Sequence, residues 1–70
     1  MYRQATEQQI RAVQSAFTVW ALADGAERAE RSYETVSAVI RAYNRLTDAC
    51  LEAGMPQTHF CPERWAERFL

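Results

Sequence analysis

The sequence predicts an all-α fold: a long antiparallel helical hairpin plus a short C-terminal helix, expected to dimerise into a four-helix-type bundle. Three observations lead there. Apolar residues recur at steps of three and four through two long stretches, which is the spacing of one face of a helix. The only turn signal between those stretches is Ala23-Asp24-Gly25, and a connection that short makes the helices antiparallel neighbours. The second stretch carries apolar residues around roughly half its circumference, whereas packing on one neighbour needs an arc of about 100°. The surplus calls for a second contact.

The elements follow in order within a single helical domain, residues 1–70. Met1–Ala5 reads as a frayed end. Helix 1 is expected over residues 6–23, with Thr6 as N-cap and Gln9 completing a capping box. Its core stripe is Ile10, Val13, Phe17, Trp20 and Ala21, widened by Ala12, Ala16, Val19 and Ala23. Glu7, Arg11, Gln14 and Thr18 are expected to face water. Leu22 lies off the stripe but beside Val19, a modest sign of an interface.

Helix 2 is expected over residues 24–53, a rod of about 45 Å at 1.5 Å per residue. Asp24 and Glu27 form a capping-box pattern at its start, and Gly54 followed by Pro56 closes its end. Ser32 is also a good cap, so a break there is the alternative reading. Ala29, Tyr33, Val36, Ile40, Tyr43, Thr47 and Leu51 form one stripe; Thr35, Val39, Ala42, Leu46 and Ala53 form a second beside it. Helix 2 outruns helix 1 in this reading, leaving Leu46, Cys50 and Leu51 without a neighbour. Helix 3, residues 62–69, has Pro62 at its first position, Cys61 at the cap, and Phe60 and Trp65 placed for a hydrophobic staple. So short a helix forms only if Trp65 and Phe69 bury against something, either the tail of helix 2 or a partner.

Composition narrows the function. A chain of 70 residues buries only about 60% of its unfolded surface, so its core is marginal without a staple or a partner. Two cysteines are too few for a secreted disulfide framework. The N-terminus has no apolar signal segment, and no apolar run approaches the ~20 residues of a membrane span, which together suggest the cytoplasm. The net charge of −1 argues against a general nucleic-acid binder. All 8 basic residues are Arg, which suits a GC-rich genome as well as bidentate anion recognition.

Few residues could carry chemistry. Cys50, His59 and Cys61 are the only cluster worth testing as a metal site, but three ligands without a C-x-x-C or a second His fall short of zinc spacings. The same residues lack the orienting group and oxyanion donors of a nucleophilic pair, so no catalytic residue, cofactor or enzymatic activity is assigned. Arg41, Arg45, Arg64 and Arg68 are the residues a nucleic-acid-binding regulator would use, yet helix 3 is as acidic as it is basic and its preceding turn does not fit the compact helix-turn-helix. Charge along helix 2 runs acidic, basic, acidic, a banding that would steer a charged partner or an antiparallel copy.

The expected function is therefore a small non-enzymatic protein-binding module. It acts as a homodimer on a larger protein, in the manner of inhibitors, antiactivators and phage- or mobile-element-encoded blockers of host machinery. Val19, Leu22, Val39, Tyr43, Leu46, Trp65 and Phe69 are the expected interface residues. Aromatic and large apolar side chains at the centre of a contact carry most binding energy.

Overall fold

The structure, a computed structural model, describes residues 5–70. The frayed end expected at Met1–Ala5 therefore lies, Ala5 apart, outside the described residues. Helix α1 spans Glu7–Ala29, α2 spans Tyr33–Glu52, and α3 spans Pro62–Ala66, followed by a 3-10 turn over Glu67–Phe69. The two long helices pack together as a hairpin, and the molecule measures 42 × 22 × 15 Å.

The capping box at Thr6 forms as expected. The Gln9 amide donates to Thr6 Oγ1 at 3.1 Å, and the Thr6 amide donates to Gln9 Oε1 at 2.9 Å. What differs is where α1 stops. It does not end at Ala23 but continues through Asp24-Gly25 to Ala29. Gly25 costs about 1 kcal/mol against Ala in a helix but does not break one, and the flanking Ala residues are the strongest helix formers. Two ion pairs at i,i+4 support the extra turns: Arg28 Nε to Asp24 Oδ2 at 3.2 Å and Arg31 Nε to Glu27 Oε1 at 3.2 Å. Asp24 is thus a mid-helix ion-pair partner rather than a cap.

The break comes at Ser32. Glu30 turns extended, with φ −147° and ψ 103°, and Ser32 caps α2. The Thr35 amide donates to Ser32 Oγ at 3.2 Å, the Ser32 amide donates to Thr35 Oγ1 at 2.8 Å, and Thr35 Oγ1 donates to the Glu30 carbonyl at 2.9 Å. Thr35 does here what Glu or Gln does in the usual box. Moving the turn by about two helical turns brings the arms to 23 and 20 residues. Helix 2 then has no overhang, and Val13 of α1 packs into the same cluster as Leu46 and Cys50.

At the far end of α2, Gly54 adopts φ 106°. The Met55 amide reaches the Cys50 carbonyl at 2.9 Å and the Gly54 amide reaches the Leu51 carbonyl at 3.1 Å. This is a Schellman closure, with Met55 and Cys50 as its apolar contact. The chain then returns so that α3 covers one face of the hairpin. Val13, Leu46, Cys50, Ala53, Met55, Trp65 and Ala66 form the buried cluster. It lies wholly at the open end of the hairpin. No residue from Gln14 to Arg41 is buried.

Candidate interaction surface

The hairpin has two broad faces, and the C-terminal segment covers only one. Tyr43 is the principal anchor there: its phenol donates to Glu63 Oε2 at 2.8 Å, and its ring meets Trp20 edge-on with centroids 6.1 Å apart. Partial burial and the neighbouring Glu63 carboxylate push the Tyr43 phenol up to about 12. Cys50 is fully buried, and its Sγ donates to the Pro62 carbonyl at 3.6 Å. Burial, with Glu63 nearby, pushes its thiol up to about 11. Gln14 Nε2 donates to the Phe69 carbonyl at 2.6 Å, tying the end of the chain to α1. Trp65 and Phe69 pack edge-on at 5.1 Å, and the Arg68 guanidinium lies 4.7 Å over the Trp65 ring.

The opposite face is open. A groove of about 460 Å³ runs between α1 and α2, lined by Val19 and Ala23 on one side and by Ala38, Arg41, Ala42, Asn44 and Arg45 on the other. A second hollow of about 260 Å³ extends it past Ala12, Ser15 and Ala16, sharing Val19, Ala42 and Arg45. Small side chains on both helices leave this space. Val19 is 51% exposed and Leu22, on the same flank of α1, is 71% exposed. Around the outside of α2 a separate apolar line, Tyr33 and Ile40, is 88% and 56% exposed, with Leu51 further along it.

The structure redistributes the expected interface residues. Val19 and Leu22 are exposed beside the groove. Val39, Tyr43 and Phe69 are half-buried. Leu46 and Trp65 are not surface at all but belong to the chain's own core. On α2, Ala42, Leu46 and Ala53 of the second stripe face inward, while the first stripe is split: Tyr33, Ile40 and Leu51 are exposed and Val36, Tyr43 and Thr47 are half-buried. The reason is the third element. The periodicity defines two stripes, but α1 and α3 together decide which one is enclosed. On α1, Ala21 is exposed rather than core, and Gln14 is half-buried and hydrogen-bonded rather than free in water. The staple expected between Phe60 and Trp65 does not form, since Phe60 is 90% exposed while Trp65 turns into the cluster. Tyr33, Ile40 and Phe60 are exposed residues that the sequence reading missed; each lies on or beside a run that patterning alone marks as core.

The remaining candidates separate in space. Cys50 is buried and His59 is exposed in the loop before α3; among the described residues no three His, Cys, Asp or Glu side chains are grouped to hold a metal. Arg41 and Arg45 lie on the groove side of α2, each about 160° around the helix from Tyr43, the residue that anchors α3. Arg64 and Arg68 ride on the C-terminal segment, so the four arginines are divided between opposite faces. Among the described residues no helix is long and apolar enough to cross a membrane. No family model, no curated protein and no solved structure matches the chain.

Proposed function

We propose that this chain is a non-enzymatic protein-binding module that acts as a homodimer in the cytoplasm, engaging a larger protein and modulating or inhibiting it. The observation that supports this reading is the uneven core. Among the described residues, every buried side chain except Ala42, midway along α2, lies toward the open end of the hairpin, while Val19, Leu22, Tyr33 and Ile40 stand exposed in the half nearest the turn. Each large apolar side chain removed from water contributes about 1.5–3 kcal/mol, so leaving four of them exposed on a small domain is a loss unless something covers them. Tyr33 and Ile40, on the outside of α2, are the residues assigned to the larger partner.

Affinity capture from a lysate of the source organism tests this. The bait is used as the natural sequence, as a Tyr33→Asp/Ile40→Asp variant, and as a Glu7→Gln control. A protein recovered in stoichiometric amount with the first and third baits, and lost with the second, is the expected result. Equal recovery with all three, or recovery with none, would falsify the assignment of that surface to a partner.

A further inference from the structure

We propose that the groove between α1 and α2 seats a second copy of this chain, docked antiparallel, so that Glu34 of each copy falls between Arg41 and Arg45 of the other. This rests on the homodimeric reading above and adds to it the face, the direction and the paired charges.

The charges on α2 select the occupant. Glu34, Ala38, Arg41 and Arg45 fall within an arc of about 60° at 100° per residue, on the side of α2 that borders the groove. Glu34 is four residues before Ala38, and Ala42 is four residues after it, flanked by Arg41 and Arg45. A two-fold axis crossing the groove at Ala38 therefore lays α2 against α2 with the acid of one copy opposite the two guanidinium groups of the other. A contact of this kind is self-complementary, and everything it gains it gains twice. Among the described residues, Arg41, Arg45, Glu30 and Glu34 take part in no ion pair within the chain, whereas Asp24, Glu27, Arg28 and Arg31 do.

The apolar groups agree with the same axis. Ala23 and Ala38 both line the groove, and in an antiparallel hairpin whose arms end at Ala29 and begin at Tyr33 they stand at nearly equal distance from the turn, so they are about level. The axis then sets α1 against α1 with their Leu22 side chains close together near it. Glu30 of one copy comes level with Ala16 and Arg45 of the other, since these two both line the hollow and the same hairpin register sets them level. The half of the hairpin that contains no buried residue becomes the centre of the assembly. The small groove-lining residues Ala38, Ala42 and Ala23 permit the close approach of helix axes that this packing needs, since axis separation follows the size of the contact residues.

Sedimentation equilibrium on the full chain and two charge variants tests the arrangement. Arg41→Glu/Arg45→Glu makes the face uniformly acidic; Glu30→Arg/Glu34→Arg makes it uniformly basic. The natural chain should show twice its 8.1 kDa mass at micromolar concentration. Each variant alone should associate at least roughly tenfold more weakly, because like charges then meet across the axis. An equimolar mixture of the two should recover the dimer. All four positions are exposed, and helical content measured by circular dichroism should stay unchanged. If either charge set disturbs folding, Leu22→Ser keeps every charge and should also weaken association; unaltered association of that variant would overturn the proposal.

The outcomes separate the two claims. A natural chain that stays at 8.1 kDa at about 100 µM, far above the concentrations at which specific dimers form, removes both the homodimer and this geometry. A dimer that tolerates both charge variants, or variants that weaken association but do not recover on mixing, removes the geometry and leaves the homodimer standing.

Discussion

The phenol of Tyr43 on α2 and the carboxylate of Glu63 on α3 are joined by a 2.8 Å hydrogen bond. Among the described residues, that bond is one of three polar ties holding the C-terminal segment to the hairpin, with Gln14 to the Phe69 carbonyl and Cys50 to the Pro62 carbonyl. Replacing Tyr43 by Phe keeps the ring against Trp20 and removes only the hydroxyl. The expected cost is about 1 kcal/mol, the net value of a half-buried hydrogen bond. Urea unfolding should show a lower midpoint with an unchanged slope. No change in midpoint would mean that Glu63 is equally well satisfied by water.

The same pair makes stability fall in alkali. Tyr43 titrates at about 12 in the folded chain against 10.0 ordinarily, because burial and Glu63 both disfavour the phenolate. A folded-state value above the unfolded one means a contribution fully present below pH 10 and lost as pH rises through about 12. Cys50 behaves alike at lower pH, its contribution present below 9.0 and lost through about 11. Stability measured against pH should therefore decline in two overlapping steps above pH 9.0. Tyr43→Phe should flatten the upper step, between pH 10 and 12, and leave the lower one. An identical decline in both proteins would assign the upper step to other groups.

Two glycines should respond in opposite directions. Gly25 lies inside α1 on an exposed turn, and a Cβ added there meets nothing within 4 Å. Gly25→Ala should stabilise the chain by about 0.5–1 kcal/mol, through helix propensity and a less entropic unfolded state. Gly54 sits at φ 106°, where an L side chain is strained, so Gly54→Ala should destabilise by about 1 kcal/mol or more. Thermal unfolding of the two variants distinguishes this fold from a hairpin turning at Ala23-Asp24-Gly25, in which Gly25→Ala would also be harmful.

That contrast marks how far the sequence could be read. The helical class, the Thr6 cap, the Gly54 closure and Pro62 as the start of α3 all rest on local chemistry, and local chemistry is written in adjacent residues. The position of the turn is not local. Asp24-Gly25 and Ser32-Thr35 are both plausible boundaries, and the choice depends on which register lets Val13 meet Leu46 and Cys50. The stripe that becomes core depends in turn on that register and on the return of α3. Hence Leu46 and Trp65 look like candidates for a contact between chains when only the wheel is consulted, and become interior once the third element is placed. Val19 and Leu22 stay surface residues because the groove side of α1 on which Val19 lies is not covered by α3.

Leu46 and Ile40 lie six residues apart on the same helix, and substitution should separate them sharply. Leu46 is 0% exposed and central to the buried cluster, so Leu46→Ala should cost about 2–5 kcal/mol. A chain of 70 residues has a total stability of roughly 4–10 kcal/mol, so Leu46→Asp, which buries a charge as well, should not fold. Ile40→Asp changes an exposed site and should shift stability by less than about 1 kcal/mol. Circular dichroism would read both. A helical, cooperatively melting Leu46→Asp chain would show that this residue is not interior.

The two thiols should differ in rate. Cys50 and Cys61 are both free. The attacking species in disulfide exchange is the thiolate, so reactivity needs both ionisation and access. Cys50 has neither near neutral pH: it is fully buried, and burial holds its thiol at about 11. Cys61 is partly exposed at the entrance to α3. With an aromatic disulfide reagent at pH 7.5, one equivalent should react promptly and map to Cys61. The second should react only as fast as the chain opens, accelerating with urea below the unfolding midpoint. Because Cys50 lies against the Pro62 carbonyl, Tyr43→Phe should also hasten its reaction, by loosening α3 without altering the hairpin. Equal rates for both cysteines in the folded protein would place α3 off the hairpin, and with it the covered face that leaves the opposite groove as the open one.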